Sequence, residues 1–251
     1  MRLAYDDNLG LPAAIASSWA IESTAFHDVG RMLGAFERGD VDACFAPAGI
    51  LGSLAGIGHT LIAQGTARGS TTLASKLVVR ADAPEVTLDI LATSAIGFIN
   101  EYCTTSYWAP MITLIEEVPA GGALPFRACT GFDDLLAAVV EGRVDVGMVW
   151  DRVLARHPAE AVRTRAVAVD ADLPGPLVYA RGDLSAAEAR VLRRTFLDAR
   201  VEGAASFFDG FAEPDDECVT HFARRMAAVR SHYKLGPLGR AVPQRQRVAR
   251  F

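Results

Sequence analysis

Lysine is nearly missing from this chain: Lys76 and Lys234 are the only two in 251 residues, so its positive charge is arginine. The formal net charge of −5 excludes a general nucleic-acid binder, which would carry a basic face. An arginine-rich end (Arg240, Arg245, Arg247, Arg250) reads as a solvated tail. Cysteine is sparse and scattered. Cys44, Cys103, Cys129 and Cys218 form no CxxC pair, which excludes a zinc knuckle and a disulfide framework. No metal or cofactor is called for. No apolar run reaches the length of a membrane span. The start, Met1-Arg2-Leu3-Ala4-Tyr5, enters a strand-like segment with no leader-like pattern. The expected location is therefore cytoplasmic as written, or periplasmic or extracellular if the sequence is a trimmed form.

What remains is an ordinary core-forming composition, with 51% hydrophobic and 22% charged residues. Arg2 to Tyr5 reads as a first strand, and Pro12 sits where helices begin. A second helix over Met32 to Glu37 ends at Gly39 as a C-cap glycine would have it. A buried strand over Val41 to Pro47, a helix over Ala48 to Leu54, and strands over Thr60 to Gln64 and Leu73 to Arg80 follow. Strands alternating with helices point to an α/β fold with mixed, mostly parallel sheets. Ligand sites in such folds gather at the carboxyl ends of strands. That rule brings Tyr5, Asp6, Pro47, Ala48, Gln64 and Gly65 towards one cleft.

The unit Leu33 to Phe45 recurs without gaps as Leu136 to Met148, 103 residues later. Each copy is a helix, a capping glycine, then Val-Asp opening a buried strand, so Asp42 and Asp145 read as structural. One pair of copies points to two similar lobes rather than a solenoid. Leu77 to Asp82 and Leu177 to Asp183 both end in Arg-x-Asp, as two neighbouring strands of one sheet would. The expected division is a discontinuous lobe over 1–85 and 175–251, with 86–174 inserted as the second lobe. Helices over Ser185 to Glu202, opened by a Ser-x-x-Glu capping box, and Asp216 to His232 should return to the first lobe.

The stretch Tyr102-Cys103-Thr104-Thr105-Ser106-Tyr107-Trp108-Ala109-Pro110 follows a strand pattern over Ser94 to Ile99 and runs into a helix. Small hydroxyl residues cap the free N–H groups of a first helical turn. Those N–H groups and the helix dipole together favour an anion. Trp150 and Asp151 close the second Val-Asp strand at the same end of their lobe.

From about Arg2 to about Arg230 the chain resembles the substrate-binding proteins of phosphate, phosphite and phosphonate ABC transporters. The residues that carry the likeness are the two helix-Gly-x-Val-Asp-strand units, Val79-Arg80-Ala81-Asp82, and Leu173-Pro174 with Arg181-Gly182-Asp183-Leu184. The resemblance implies a two-lobed type 2 periplasmic-binding fold with two hinge crossings. It also implies a Ser-Thr-Ser-Gly motif that holds phosphonate oxygens and falls here on Cys103, Thr104, Thr105 and Ser106. Two of those four positions depart from the motif, so the implied ligand is a small anionic or polar metabolite, phosphonate-like or carboxylate. It would be held by Tyr5, Asp6, Pro47, Ala48, Gln64, Cys103, Thr104, Thr105, Ser106, Tyr107, Trp150 and Asp151. An ABC permease is the implied partner if the protein is exported. Asp6 and Asp151 would repel a dianion unless they bind a ligand amine.

A different class of function shares the scaffold, since fold does not fix function. A cytosolic lyase resembling chorismate dehydratases could use Cys103, because a thiol at a helix N-terminus has a lowered pKa. Of the histidines only His27 stands where it could assist. A route without the thiol would take Asp6 or Glu101 as acid or base. A ligand-sensing role is a third reading.

Overall fold

The structure is a computed structural model, and it describes residues 1–18, 20–54, 56–85, 87, 93–117, 125–199 and 208–235. The chain builds two mixed sheets with helices against them. The first half runs β1 (Arg2–Asp6), α1 (Ala13–Ala16), β2 (Glu22–Phe26), α2 (Val29–Arg38), β3 (Ala43–Ala46), β4 (His59–Thr66) and β5 (Thr72–Arg80). Next come β6 (Ile96–Phe98), α3 (Ala109–Glu117), β7 (Phe126–Ala128), α4 (Phe132–Val140), β8 (Val146–Trp150), α5 (Asp151–Arg156), α6 (Pro158–Ala161) and β9 (Thr164–Pro174). The chain closes with β10 (Leu177–Arg181), α7 (Ala186–Leu197), β11 (Gly210–Ala212) and α8 (Asp216–Tyr233).

One sheet has the order β11-β4-β10-β3-β1-β2 and the other β7-β6-β8-β5-β9. Read from opposite ends the two orders correspond: β3 matches β8, β1 matches β6, and β10 matches β5. The repeated sequence unit is the cause. Gly39 and Gly142 end α2 and α4 at φ of 78° and 75°, the left-handed region that glycine enters without a Cβ penalty. Asp42 then accepts the Arg2 backbone N–H at 2.7 Å, and Asp145 accepts that of Ala95 at 2.7 Å. Each aspartate thus ties the entry of its strand to the entry of the neighbouring parallel strand, the structural role its spacing indicates.

The two Arg-x-Asp strands are equivalents in different sheets, which corrects the expectation that they are neighbours in one. β5 pairs antiparallel with β8 and β9, whereas β10 pairs antiparallel with β3 and β4. Arg80 lies over Gly142 and Arg181 over Gly39, each bonded to the aspartate two residues on. The likeness that looked like adjacency is therefore repetition. Residues Thr72–Arg80, expected in the first lobe, belong to the sheet of the inserted one. The crossings are the Ala67–Ser70 turn and Gly175–Pro176, which meet through Gly65 N to Pro176 O and Gly175 N to Thr71 O, both 2.8 Å.

Two further expectations change. Beyond Pro47 the chain forms a short 3₁₀ turn, Ala48–Ile50, rather than a helix to Leu54. α7 carries the capping box, with Ser185 and Glu188 bonded reciprocally; the end of that expected helix and the arginine-rich tail lie outside the described residues. α8 does not simply return to the first lobe. Arg225 grips Glu116 and Asp170 of the second lobe at 2.8 Å each, while Asp215 N reaches Gln64 and Arg230 reaches the Gly52 carbonyl of the first. The helix spans both.

Burial of side chains such as Phe36, Phe45, Leu77, Trp108 and Phe196 fills the cores of the two sheets. Each large apolar side chain so buried contributes about 1.5–3 kcal/mol. No helix among the described residues is long and apolar enough to cross a membrane.

Candidate functional site at the lobe junction

The hydroxyl cluster sits where the two lobes touch. Cys103 is extended at φ −67°, ψ 118°, and the chain then turns through a π-helical segment, Thr104–Trp108. The widening is visible in the bonds, since the Cys103 carbonyl accepts both Tyr107 N (3.3 Å) and Trp108 N (3.2 Å). Such π turns recur at functional sites. Cys103 Sγ accepts Ser106 N at 3.3 Å, so the thiol serves as the cap that a serine hydroxyl would supply.

Each hydroxyl of the cluster has its own fate. Thr104 Oγ1 accepts the backbone N–H of Gly49, in the 3₁₀ turn of the first lobe, at 3.0 Å in a buried contact. Ser106 Oγ accepts Ile99 N at 3.1 Å and so fixes the end of β6. No hydrogen bond to the Thr105 hydroxyl is found among the described residues, and Thr105 is buried. Gly49 itself is indispensable to the fit. A Cβ there would lie 2.1 Å from the Tyr102 carbonyl oxygen and 2.7 Å from Trp108 Cδ1. Trp108 Nε1 is buried, and no hydrogen-bond partner for it is found among the described residues.

Asp6 closes the first-lobe side at the end of β1. It is 2% exposed, and its Oδ1 accepts Asn8 N and Asn8 Nδ2, both at 3.0 Å. Burial raises its pKa, more than the Asn8 hydrogen bonds lower it, and Asp7 adds to the rise. Cys103 feels Asp6 across the junction. Burial pushes the thiol up and the Asp6 charge adds to that, while the Ser106 and Thr105 N–H groups pull only part of the way back. This corrects the expectation of a lowered pKa: depth overrides the helix N-terminus.

The remaining expected residues divide. Pro47 and Ala48 are buried beside Gly49, and Tyr5 is half-buried next to Asp6. Gln64 is fully buried with both amide ends taken, Nε2 donating to Thr71 O and Oε1 accepting Asp215 N, both at 2.8 Å. These bonds lock the crossing to α8. Tyr107 packs its ring on Phe98 and Phe126 inside the second lobe, with centroids 5.6 and 4.9 Å away. Trp150 and Asp151 line a hollow of about 310 Å³ with Arg68, Ser70, Thr72 and Arg152 by the first crossing. Asp151 pairs there with Lys76 at 3.0 Å. His27 is at the surface, 2.7 Å from Asp7. Glu101 lines a groove of about 940 Å³ between the lobes, with Asp28 and Gly30 opposite and Tyr102 beside it. That groove adjoins the cluster without including Cys103 to Ser106. No group of side chains among the described residues is arranged to hold a metal.

Gly49 and Trp108 were not legible as site residues. A glycine just beyond a strand end, as in Pro47-Ala48-Gly49, was the available signal.

Comparison with known proteins decides the family. A family model described as ABC transporter, phosphonate, periplasmic substrate-binding protein matches residues 19–217. The chain belongs to this family. Among solved structures, XAC2383 from Xanthomonas citri bound to chloride ion superposes with a TM-score of 0.75 at 20% identity, covering 92% of this chain and 99% of that one. A binding protein component of an ABC phosphonate transporter, PA3383 from Pseudomonas aeruginosa, gives 0.72 at 15% identity, covering 94% and 90%. PhnD1 from Prochlorococcus marinus (MIT 9301) in complex with methylphosphonate gives 0.72 at 12%, covering 92% and 98%. These likenesses establish the type 2 periplasmic-binding fold. A search of curated protein sequences found no match.

Proposed function

We propose that this chain is a ligand receptor of an ABC importer, and that it closes its lobes on a small anionic or polar molecule at the Asp6–Gly49–Thr104 junction. Its partner would be the importer's permease, and its place of work the outer side of the membrane that the permease spans. The observation that carries this reading is the buried bond from Gly49 N to Thr104 Oγ1. It joins the first lobe directly to the hydroxyl cluster, so lobe closure and the cluster's hydrogen bonding are one event. Hinge bending about two crossings is the motion that such a fold allows. The lyase reading has no observation in its favour. Its thiol is held protonated by burial, and its one histidine is occupied by a surface aspartate.

The test is thermal-shift screening of phosphonates, sulfonates and small carboxylates on the folded chain. A ligand at 100 times its Kd stabilises by about 2.7 kcal/mol. Thr104→Ala combined with Thr105→Ala should abolish the shift for any ligand that produces one. An unchanged Kd in the double variant would remove the cluster from the site.

A further inference from the structure

We propose that α8 is a strap of the second lobe: it travels with that lobe when the cleft opens, and Arg230 fastens it to Gly52 of the first lobe only in the closed form. The inference goes beyond the receptor reading, since it identifies what besides a ligand holds the lobes together.

By chain order α8 belongs to the first lobe, because it follows β11, an edge strand of the first sheet. Its packing says otherwise. α8 lies along α3 and β9 of the second lobe, and its buried side chains are Val219, Phe222, Met226 and Val229. Arg225 anchors it there. The guanidinium meets the Glu116 carboxylate through Nε and Nη2 at 2.8 and 2.9 Å. It meets the Asp170 carboxylate through Nη1 and Nη2 at 3.2 and 2.8 Å. The side chains of Arg225 and Asp170 are only 12% and 5% exposed. Forked bonds between ionised groups are strong, and parting them would leave a shielded charge unmatched. This contact stays made when the lobes move.

The ties to the first lobe are slighter, and they differ in where they lie. Asp215 N donates to Gln64 Oε1, and Gln64 Nε2 donates to Thr71 O beside the first crossing, both at 2.8 Å. The start of α8 is thus pinned at the hinge. Arg230 lies about 22 Å further along the helix, at a rise of about 1.5 Å per residue. There a single bond, Arg230 Nη1 to Gly52 O at 3.3 Å, holds the strap down. With the hinge at one end, a rotation of about 10° moves the other by up to about 4 Å, which takes this bond out of hydrogen-bonding range.

What the strap presses on decides its effect. A Cβ on Gly52 would stand 2.9 Å from Arg230 Nη1 and 3.6 Å from Met226 Cε, so both side chains lie directly on that glycine. Gly52 lies just past the 3₁₀ turn Ala48–Ile50, which contains Gly49, and Gly49 N bonds Thr104 across the junction. The second lobe therefore grips one turn of the first at two points, with the hydroxyl cluster at Gly49 and with α8 at Gly52. A rotation that frees one contact frees the other.

Hydrogen exchange read by mass spectrometry on the ligand-free full chain tests this. The Gly49 amide reports the junction, and the amides around Arg225 report the helix. In Arg230→Met, which keeps an apolar stem over Gly52, the Gly49 amide should exchange about fivefold faster or more, while the α8 amides keep their wild-type rates. Arg224→Met, at the exposed neighbour, should change neither. A Gly49 amide at its wild-type rate in Arg230→Met would overturn the strap. So would α8 amides that speed up with it, because the helix would then be peeling off the second lobe rather than moving with it. Should Arg230→Met fail to fold, as judged by circular dichroism, Arg230→Gln makes the same comparison. The measurement uses no ligand, so failure of the receptor reading in the thermal-shift screen and failure of the strap are separate results.

Discussion

Gly49→Ala adds one methyl group at the point where the lobes meet, and the structure gives its cost. The new Cβ would stand 2.1 Å from the Tyr102 carbonyl oxygen, 2.9 Å from its carbon and 2.7 Å from Trp108 Cδ1, against the 3.4 Å at which ordinary contact begins. Two of these neighbours are backbone atoms of the second lobe, so no rotamer change relieves them. The lobes must separate by about 1 Å at this point, which is the overpacking regime of about 1–3 kcal/mol. Separation also strains or breaks the Gly49 N to Thr104 Oγ1 bond. Because the penalty falls on the closed form alone, ligand affinity should drop by about 5- to 150-fold. Titration of a ligand found by screening measures that loss, and small-angle scattering should show a larger radius of gyration without ligand. Gly34→Ala is the control. Its Cβ meets only the flexible end of Arg38, at 3.2 Å, and replacing a glycine inside α2 should stabilise by about 0.5–1 kcal/mol. Wild-type affinity and wild-type scattering in a folded Gly49→Ala protein would refute the picture of a contact-limited closure.

Two predictions concern titrating groups away from that contact. Burial alone would raise the pKa of Asp209, but Thr66 Oγ1, the N–H groups of Arg68 and Gly69, and the Arg152 guanidinium together hold it below the ordinary carboxylate value. A depressed folded pKa stabilises above the unfolded value and loses that contribution as pH falls through the folded one. The acid limb of a Tm-against-pH curve should therefore flatten in Asp209→Asn; an unchanged limb would mean that this clasp between the first crossing and α5 contributes nothing. Cys103, with its thiol pushed up by burial, should react with iodoacetamide more slowly than a free thiol at pH 7.5. Rapid, selective alkylation of Cys103 would restore the nucleophile reading.

How far the fold was legible follows from what kind of signal each element carries. The unit Leu33–Phe45 and its copy read correctly because their glycines need positive φ and their aspartates need a backbone N–H, and both demands are local. The Arg-x-Asp strands misled because the same likeness arises from adjacency in one sheet and from equivalence in two, and only pairing partners separate the cases. β2 carries no clean alternation of burial, and β7 and β11 are three residues each. Strands of that kind take their form from neighbours and leave little periodic pattern of their own.

The site divides along the same line. That Cys103 to Ser106 open a helix is visible in the residues themselves, and so is the capacity of that turn to hold oxygen. Which donors remain free is not visible, because it depends on a glycine 55 positions earlier that claims Thr104. It depends also on a sulfur that claims Ser106 N. The same holds for the thiol. Position at a helix start lowers a cysteine pKa, burial raises it, and the order of the two effects is set by depth alone, which no run of neighbouring residues encodes. In this junction depth governs both groups: burial pushes the Cys103 thiol up and raises the pKa of the nearly buried Asp6 carboxyl.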